Sequence, residues 1–484
     1  MFWSPRAEAI LNEIGRRIPD PDAPSVRPRG QEFKRILQVC TQVHKVGGHS
    51  KMLCQWVNAD STRSHSLVLT QHRGPTPQFI TDTFRKSGGK VERLNHRPGG
   101  QIAWAKRLRK IARDFDLIIL HTHCEDVVPV IAFAETEKYP PVLVLNHADH
   151  LFWYGSSVCH LSINLRDAAQ DLAIARRGIE PRRNILMPTL SESVKRTRTR
   201  EEAKKEIGID PETTLIVSAA RKPKYRTMDG VTFADIHAPV LAKHPNATLL
   251  VCGAGDQPEW EAASKACGGR IISLPETGKP KVYFEAADIY IDSYPFPSST
   301  SMMEAAGYGT PMLTLFTAPD AARIFGINHV ALVGTAQLGR SIPEYRQILD
   351  RMITDKAWCE KLGQEGRQAV AREHNMPGWM RWLDGVYACA ADLPMLDNKA
   401  MLAQPDRPHF GEPDCRHEDI FGGKYPTIMF LKSFMGMMPA HQHIAHWNEA
   451  RRGGAFRTPF HAASHLMPEW IKRVVKDRIL HWQE

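Results

Sequence analysis

Ten short apolar runs, each bordered by a helical stretch, divide the chain into two series of five. The first series is RILQVCTQV (35–43), SLVLTQ (66–71), a weaker strand near Val91, DLIILHT (116–122) and PVLVLNH (141–147). The second is TTLIVSAA (213–220), ATLLVCGAG (247–255), RIISLP (270–275), DIYIDS (288–293) and PMLTLF (311–316). A continuous apolar run suits a strand covered on both faces, and strand–helix alternation builds a parallel sheet wrapped by helices. The pattern therefore predicts an α/β protein with two doubly wound domains, one over 33–190 and one over 191–377. Residues 1–32 read as a lead-in helix, with Ile10, Ile14 and Ile18 at helical spacing, and a Pro/Arg/Asp-rich linker. Residues 378–394 read as a closing helix, and 395–484 as a C-terminal extension of no assignable type.

At 484 residues the chain exceeds what one ordinary core supports, which agrees with two large domains. The net charge of +10 suits anionic ligands, nucleic acid or an acidic membrane surface without choosing among them. Nine cysteines with no C-x-x-C pair argue against a disulfide framework or zinc ribbon and for a reducing compartment. The first eighteen residues lack the apolar core of a signal peptide, and no run approaches the ~20 apolar residues that span a bilayer. The expectation is a cytoplasmic protein, at most peripherally attached to membrane.

Chemistry concentrates where strands end. In IDSYPFPSSTSMMEAAGYGTPMLTL (291–315) an apolar strand runs into Ser298, Ser299, Thr300 and Ser301, which would cap a helix beginning near Met302. Their hydroxyls and backbone N–H groups, with the helix dipole, make an anion cradle suited to phosphate. Glu304, one turn in, could accept two hydrogen bonds from a ribose diol. The plainer account is an N-cap cluster with a first-turn glutamate. KVGGHS (45–50) follows the first strand, and Gly47 and Gly48 would let the backbone come close to a ligand. SAARKPKYRTMDG (218–230) carries Arg221, Lys222, Lys224 and Arg226, either a phosphate-binding set or a solvated basic loop. HTHCED (121–126) and NHADH (146–150) place His121, His123, His147, Asp149 and His150 at strand ends facing the same inter-domain cleft. An imidazole there could serve as general base toward a hydroxyl, although a buried, satisfied histidine is the commoner fate. His49 is either catalytic or polar surface.

The two-domain alternation resembles the GT-B class of nucleotide-sugar glycosyltransferases, built of two Rossmann-like domains. The pattern D-x(11)-E-x(4)-G-T-P-M-L-T-L, from Asp292 to Leu315, resembles the nucleotide-binding segment of the O-linked N-acetylglucosaminyltransferase family. The resemblance implies hydroxyl contacts to the diphosphate from Ser299, Thr300 and Ser301, a ribose contact from Glu304, and UDP as the favoured nucleotide. It further implies a basic group at the 218–230 loop, Lys224 and Arg226 with Arg221 as the next candidate, neutralising the leaving diphosphate. A histidine at 147 or 121 would lie against the donor sugar, with His150 a further catalytic candidate, and the glycines at 47 and 48 would approach the donor phosphates. The segment is also similar to the large retaining family with an E-x7-E motif: Glu304 matches the second glutamate, but Phe296 stands in place of the first. That leans toward inversion.

The resemblance implies a hexosyl-transferring enzyme with a nucleotide-sugar donor and an acceptor of unknown kind: glycan, lipid-linked glycan or protein. No cofactor, no metal and no nucleic acid are expected. The alternatives are a catalytically silent nucleotide-binding scaffold or a sugar-nucleotide epimerase. A metallohydrolase built on HTHCED would leave the second-domain features unexplained. In the tail, TIMFLKSFMGMM (427–438), interrupted only by Lys432, suits a helix buried on the first domain, an oligomer contact or a membrane-surface helix. KRVVKDRILHW (472–482) is a basic amphipathic end that could touch acidic lipid or another chain.

Overall fold

The computed structural model describes residues 2–20, 32–45, 48–406, 411–421 and 427–475. Its first sheet has seven strands: β1 (Arg35–Cys40), β2 (Ser64–Leu69), β3 (Val91–Arg93), β4 (Leu117–His121), β5 (Val142–Asn146), β6 (Leu161–Asn164) and β7 (Asn184–Leu186). They lie in the order β3-β2-β1-β4-β5-β6-β7, every pair parallel. The second sheet has six: β8 (Thr214–Ala219), β9 (Ala247–Cys252), β10 (Ile271–Leu274), β11 (Ile289–Ile291), β12 (Met312–Leu315) and β13 (Gln337–Gly339). Their order is β10-β9-β8-β11-β12-β13, again all parallel. Two doubly wound α/β domains are therefore present.

The central strands are those with unbroken apolar runs. Every residue of β4, β5 and β9 is buried, as parallel strands covered on both faces require. The edge strands β7 and β13 have no such run, nor does β6, which is buried between β5 and β7, and the apolar pattern does not predict them. An asparagine ladder ties β6 and β7 to β5: Asn146 Nδ2 donates to Asn164 Oδ1 at 2.9 Å, and Asn164 Nδ2 donates to Asn184 Oδ1 at 2.5 Å. Polar side chains that satisfy one another in the sheet leave no apolar signature.

The N-terminal helix spans Pro5–Arg16, and its buried face is Pro5, Glu8, Asn12 and Gly15. Of the isoleucines at helical spacing, Ile10 is 56% exposed, Ile14 is half-buried against the first-domain core, and Ile18, just beyond the helix, is buried in that core. Glu8 accepts the backbone N–H groups of Gly155, Ser156 and Ser157 at 3.0, 3.1 and 2.6 Å, and Asn12 donates to Ser157 Oγ at 2.8 Å. At Gly15 a Cβ would collide with the Ile131 carbonyl and Ala134. This helix is attached by hydrogen bonds and close backbone approach as well as by Leu11 and Ile14, which pack on the first-domain core.

The helix Met376–Asp392 follows the second domain in sequence yet packs on the first. Trp379, Leu383, Val386 and Tyr387 share a core with Ile36, Trp56, Leu117 and Ile119. The domains also meet through one apolar cluster that unites Phe2, Ala168 and Leu172 with Phe316, Ala322 and Phe325, and with Ile420 of the C-terminal extension. That extension is helical: Asp414–Phe421, Thr427–Phe434, Ala440–Arg452, Pro459–Ser464 and Glu469–Val474. Of the TIMFLKSFMGMM run, Met435 is fully buried and Met437 packs on the first-domain core, so its C-terminal part takes the buried alternative. The side chains of 427–430, and all of 476–484, lie outside the described residues.

Candidate functional site

In a doubly wound sheet ligands bind beyond the carboxyl ends of the strands where the strand order reverses. The reversals here fall between β1 and β4 and between β8 and β11. In the second domain they bring together the loop after β8, with Lys224, and the loop after β11, which leads into the helix Ser299–Gly307.

That helix begins at Ser299, not near Met302. Ser299, Thr300 and Ser301 form its first turn, where backbone N–H groups have no intrahelical acceptor; the first helical bond runs from Met302 N–H to Ser298 O, at 3.0 Å. Ser298 is the cap residue, yet its side chain makes no capping bond and instead pairs with the Ser301 hydroxyl at 3.1 Å. The entry is held by Asp292, whose Oδ1 accepts the N–H groups of Ser293 and Ser298, each at 2.8 Å. Burial raises the Asp292 carboxyl to about 6, with the Ser298 amide and Lys224 opposing. In the sequence Asp292 marks only the start of a motif, although an aspartate closing an apolar strand before a Ser/Pro-rich loop is the signal for a role of its own.

Lys224 Nζ donates to Pro297 O at 2.8 Å and lies 4.7 Å from the centre of the Phe296 ring. Burial lowers its pKa, with Asp292 opposing. The two reversal loops are thus joined through Lys224. Arg221 is exposed on the same loop. Arg226 turns toward the C-terminal extension, donating to Ile420 O at 3.3 Å, and Lys222 bonds to Asp256 O at 2.6 Å. Gly253, at φ +89°, leaves no space for a Cβ beside Ala220, so the glycine turn after β9 packs on the start of the same loop.

Glu304 is half-buried and has no hydrogen-bond partner for its carboxyl among the described residues. Its pKa is raised by burial and, to a smaller degree, by Glu192, while Lys51 opposes. Lys51 stands on the first-domain helix Gly48–Ala59, 3.5 Å from Glu192 Oε1, which also accepts from Gln55 Nε2 at 3.1 Å. Glu304 therefore faces the first domain across the cleft. Neither Lys51 nor Glu192 stands out in the sequence, since an exposed lysine and glutamate carry no local signal.

On the first-domain side Gly47 lies outside the described residues, and Gly48 opens the helix with no atom within 4 Å of where a Cβ would sit. The histidines separate into different environments. His121, at the end of β4, is wholly buried with Nε2 2.6 Å from Gln38 Oε1. Burial lowers it to about 3. It is enclosed, with the His49 and Trp56 rings against it at 5.9 and 5.7 Å, so it underlies the site instead of opening into it. His147 keeps some exposure, its ring centre 4.5 Å from that of His49, and burial lowers it to about 4. His49, the smaller signal in sequence, is likewise held well below the usual imidazole range by burial and by His147. His150 has Nδ1 3.2 Å from Asp149 Oδ1, and its ring is 5.7 Å from Phe296 of the second domain. Asp149 is buried and held as an anion by Arg166, which donates to both its oxygens at 2.6 Å and to Gly326 O at 2.8 Å. His123 lies 3.7 Å from Glu125.

Phe296 is thus the meeting point of the two domains' loops, touched by His150 from one and Lys224 from the other. Among the described residues no group of three or more His, Cys, Asp or Glu is arranged to hold a metal ion. None of the described helices is long and apolar enough to cross a membrane.

No family model and no curated protein matches the sequence. Solved structures do match the fold. A glycosyltransferase from Rickettsia africae superposes with a TM-score of 0.55 at 11% identity, over 74% of this chain and 99% of its own. The Anabaena protein HepE, solved with UDP, superposes with a TM-score of 0.55 at 15% identity, over 73% of this chain and 99% of its own. An O-GlcNAc transferase variant from Thermobaculum terrenum gives a TM-score of 0.50 at 15% identity, over 81% of this chain and 75% of its own. The fold is the GT-B arrangement of two Rossmann-like domains.

Proposed function

We propose that this protein transfers a sugar from a nucleoside diphosphate donor, with UDP favoured, to an acceptor hydroxyl. The observation that carries the proposal is the junction at β8 and β11: a half-buried lysine is fixed beside the open first turn of a helix, and a carboxylate without a partner among the described residues follows one turn later. The N–H groups of Ser299, Thr300 and Ser301 and their hydroxyls receive the diphosphate, aided by the helix dipole. Lys224, with Arg221 and Arg226 on the same loop, offsets the charge that grows on the leaving diphosphate, in place of a divalent metal. Glu304 accepts from the ribose diol. HepE, of the same fold, was solved with UDP, which supports the choice of nucleotide.

His147 is the favoured general base, because it is neutral above about pH 4 and retains exposure; His150 is the next candidate. His121, being enclosed, positions the histidine pair above it. The acceptor is a glycan, lipid-linked glycan or protein.

The test is UDP binding by thermal shift and calorimetry, with and without EDTA. Saturation at 100 times the dissociation constant adds about 2.7 kcal/mol to stability. Glu304→Gln should weaken UDP on the order of tenfold, since a hydrogen bond to a charged acceptor contributes about 1.5–3 kcal/mol against about 1 for a neutral one. It should leave the ligand-free melting temperature nearly unchanged. No shift with UDP, GDP, ADP or dTDP at millimolar concentration, with or without EDTA, would remove the donor-binding assignment.

A further inference from the structure

Residues 93–113 contain seven Lys or Arg and no Asp or Glu. They comprise the end of β3, the turn Leu94–His96 and the helix Gln101–Ala112, on the first domain and away from the diphosphate junction. Arg109 is internal: its guanidinium donates to the carbonyls of Ala132, Ile18, Gly15 and Ile131 at 2.6–3.1 Å. The other six are at least partly exposed. Arg93, Arg97, Arg107, Lys110 and Arg113 line one groove of about 630 Å³, with Glu92 and Asp114 as its acidic members. Arg93 donates to His72 O, Arg107 to Pro98 O, and Arg113 pairs with Asp20. A carbonyl bond orients Arg107 without neutralising it, and with Arg97 and Lys110 beside it the groove keeps a positive excess.

Apolar side chains border this cationic face. Ile102, in the first turn of the same helix, is 55% exposed. The C-terminal extension continues the surface. A Cβ at Gly100 would lie 3.4 Å from Met437 O, and one at Gly436 would lie 3.4 Å from Met467 O. Glu469–Val474 packs against Leu94–His96. Leu466 and Met467 at this junction are 42% and 39% exposed.

We propose that this face is a docking surface for an anionic lipid bilayer, with the cationic groove on phosphate headgroups and Ile102, Leu466 and Met467 at the acyl boundary. Positive charge complements the surface potential of anionic lipid, and exposed large apolar side chains beside it add burial that a dissolved polyanion cannot supply. Among the described residues no aromatic side chain lines the groove, so it lacks the stacking platform on which single-stranded nucleic acid is held. The surface begins at the carboxyl edge of β3, the edge of the sheet on which the candidate site lies. The inference does not depend on sugar transfer, and vesicle binding and UDP binding are separate measurements.

The experiment is co-sedimentation of the full chain with phosphatidylcholine vesicles and with phosphatidylcholine–phosphatidylglycerol vesicles. Three proteins are compared: the parent, a patch variant with Arg97→Glu, Arg107→Glu and Lys110→Glu, and a control with Lys205→Glu, Lys243→Glu and Lys279→Glu. The control reverses three exposed second-domain lysines and has the same net charge as the patch variant. The parent should bind only the anionic vesicles, and less at high salt. At roughly fivefold per cation, the patch variant should bind at least about a hundredfold more weakly, while the control remains close to the parent. Arg97→Gln alone should lose about fivefold, which keeps the test valid if the triple variant fails to fold. Equal binding to both vesicle types, or equal losses in patch variant and control, would overturn the proposal. So would binding to heparin without binding to vesicles, which would reassign the groove to a soluble polyanion.

Discussion

Asp292→Asn should stabilise the protein at neutral pH, although it removes a buried charge that accepts two backbone amides. Burial raises the Asp292 carboxyl from 3.8 to about 6. Two units at about 1.4 kcal/mol each make ionisation in the folded state roughly 3 kcal/mol more costly than in the unfolded chain. Because the folded-state value is the higher one, the native state holds the proton more tightly. The corresponding stability is fully present below about pH 4 and is lost as pH rises through about 6. Asparagine is the permanently neutral counterpart. Its carbonyl can still accept from Ser293 and Ser298, and its amide can donate to Thr314 Oγ1, which lies 3.4 Å from Asp292 Oδ2. The variant should match the parent near pH 4 and exceed it by up to about 3 kcal/mol at pH 7. Asp292→Ala should do the opposite, because two buried amides lose their acceptor at about 1–3 kcal/mol each. Urea unfolding at pH 4, 5.5 and 7 measures all three proteins, and UDP titration checks that the asparagine variant still binds. A loss of stability in Asp292→Asn at pH 7, or an unchanged pH dependence, would refute the reasoning.

Two other substitutions discriminate between roles. His147→Ala should abolish most turnover with little change in melting temperature, whereas His121→Ala, cutting a side chain that is wholly buried and bonded to Gln38, should lower the melting temperature as well. In the parent, the acid limb of the rate profile should fall near pH 4, where His147 gains its proton, and not near 6.5. Glu8→Ala should destabilise by at least about 3 kcal/mol, because three amides lose their acceptor, and UDP affinity in the protein that remains folded should be unchanged.

Both sheets are legible in the chain where the strands are central, since a strand buried on two faces must be apolar at nearly every position. β6, β7 and β13 are not, because their pairing uses short segments and, in the first sheet, a ladder of asparagines whose partners are 18 and 20 residues away. The isoleucine spacing of residues 10–18 is a true helical signal, and Ile14 and Ile18 do reach the core, but Ile10 is exposed and the spacing misses the fully buried face of the helix. That face carries Glu8 and Asn12, and polar groups satisfied by distant backbone amides look exposed in a sequence. The hydroxyl cluster at 298–301 marks the correct helix terminus, while capping preference alone puts the start three residues late.

That displacement has a chemical consequence for the junction. Had the serines capped the helix, their oxygens would have been consumed by the amides of the first turn and less would remain for a ligand. Asp292 reaches back from the end of β11 and holds the Ser298 amide, so the cap residue is oriented without drawing on the hydroxyls of Ser299 and Thr300. The same carboxylate interacts with Lys224, whose ammonium is fixed by Pro297 O in the middle of the loop. One buried aspartate therefore sets the position of the loop, the exposure of the helix terminus and the field at the lysine. Binding a diphosphate would add negative charge beside it and favour its protonated form, so proton uptake on UDP binding near pH 6–7 should report on this coupling. Calorimetry of the parent in buffers of different ionisation enthalpy would measure that uptake, and its disappearance in Asp292→Asn would locate it at this residue.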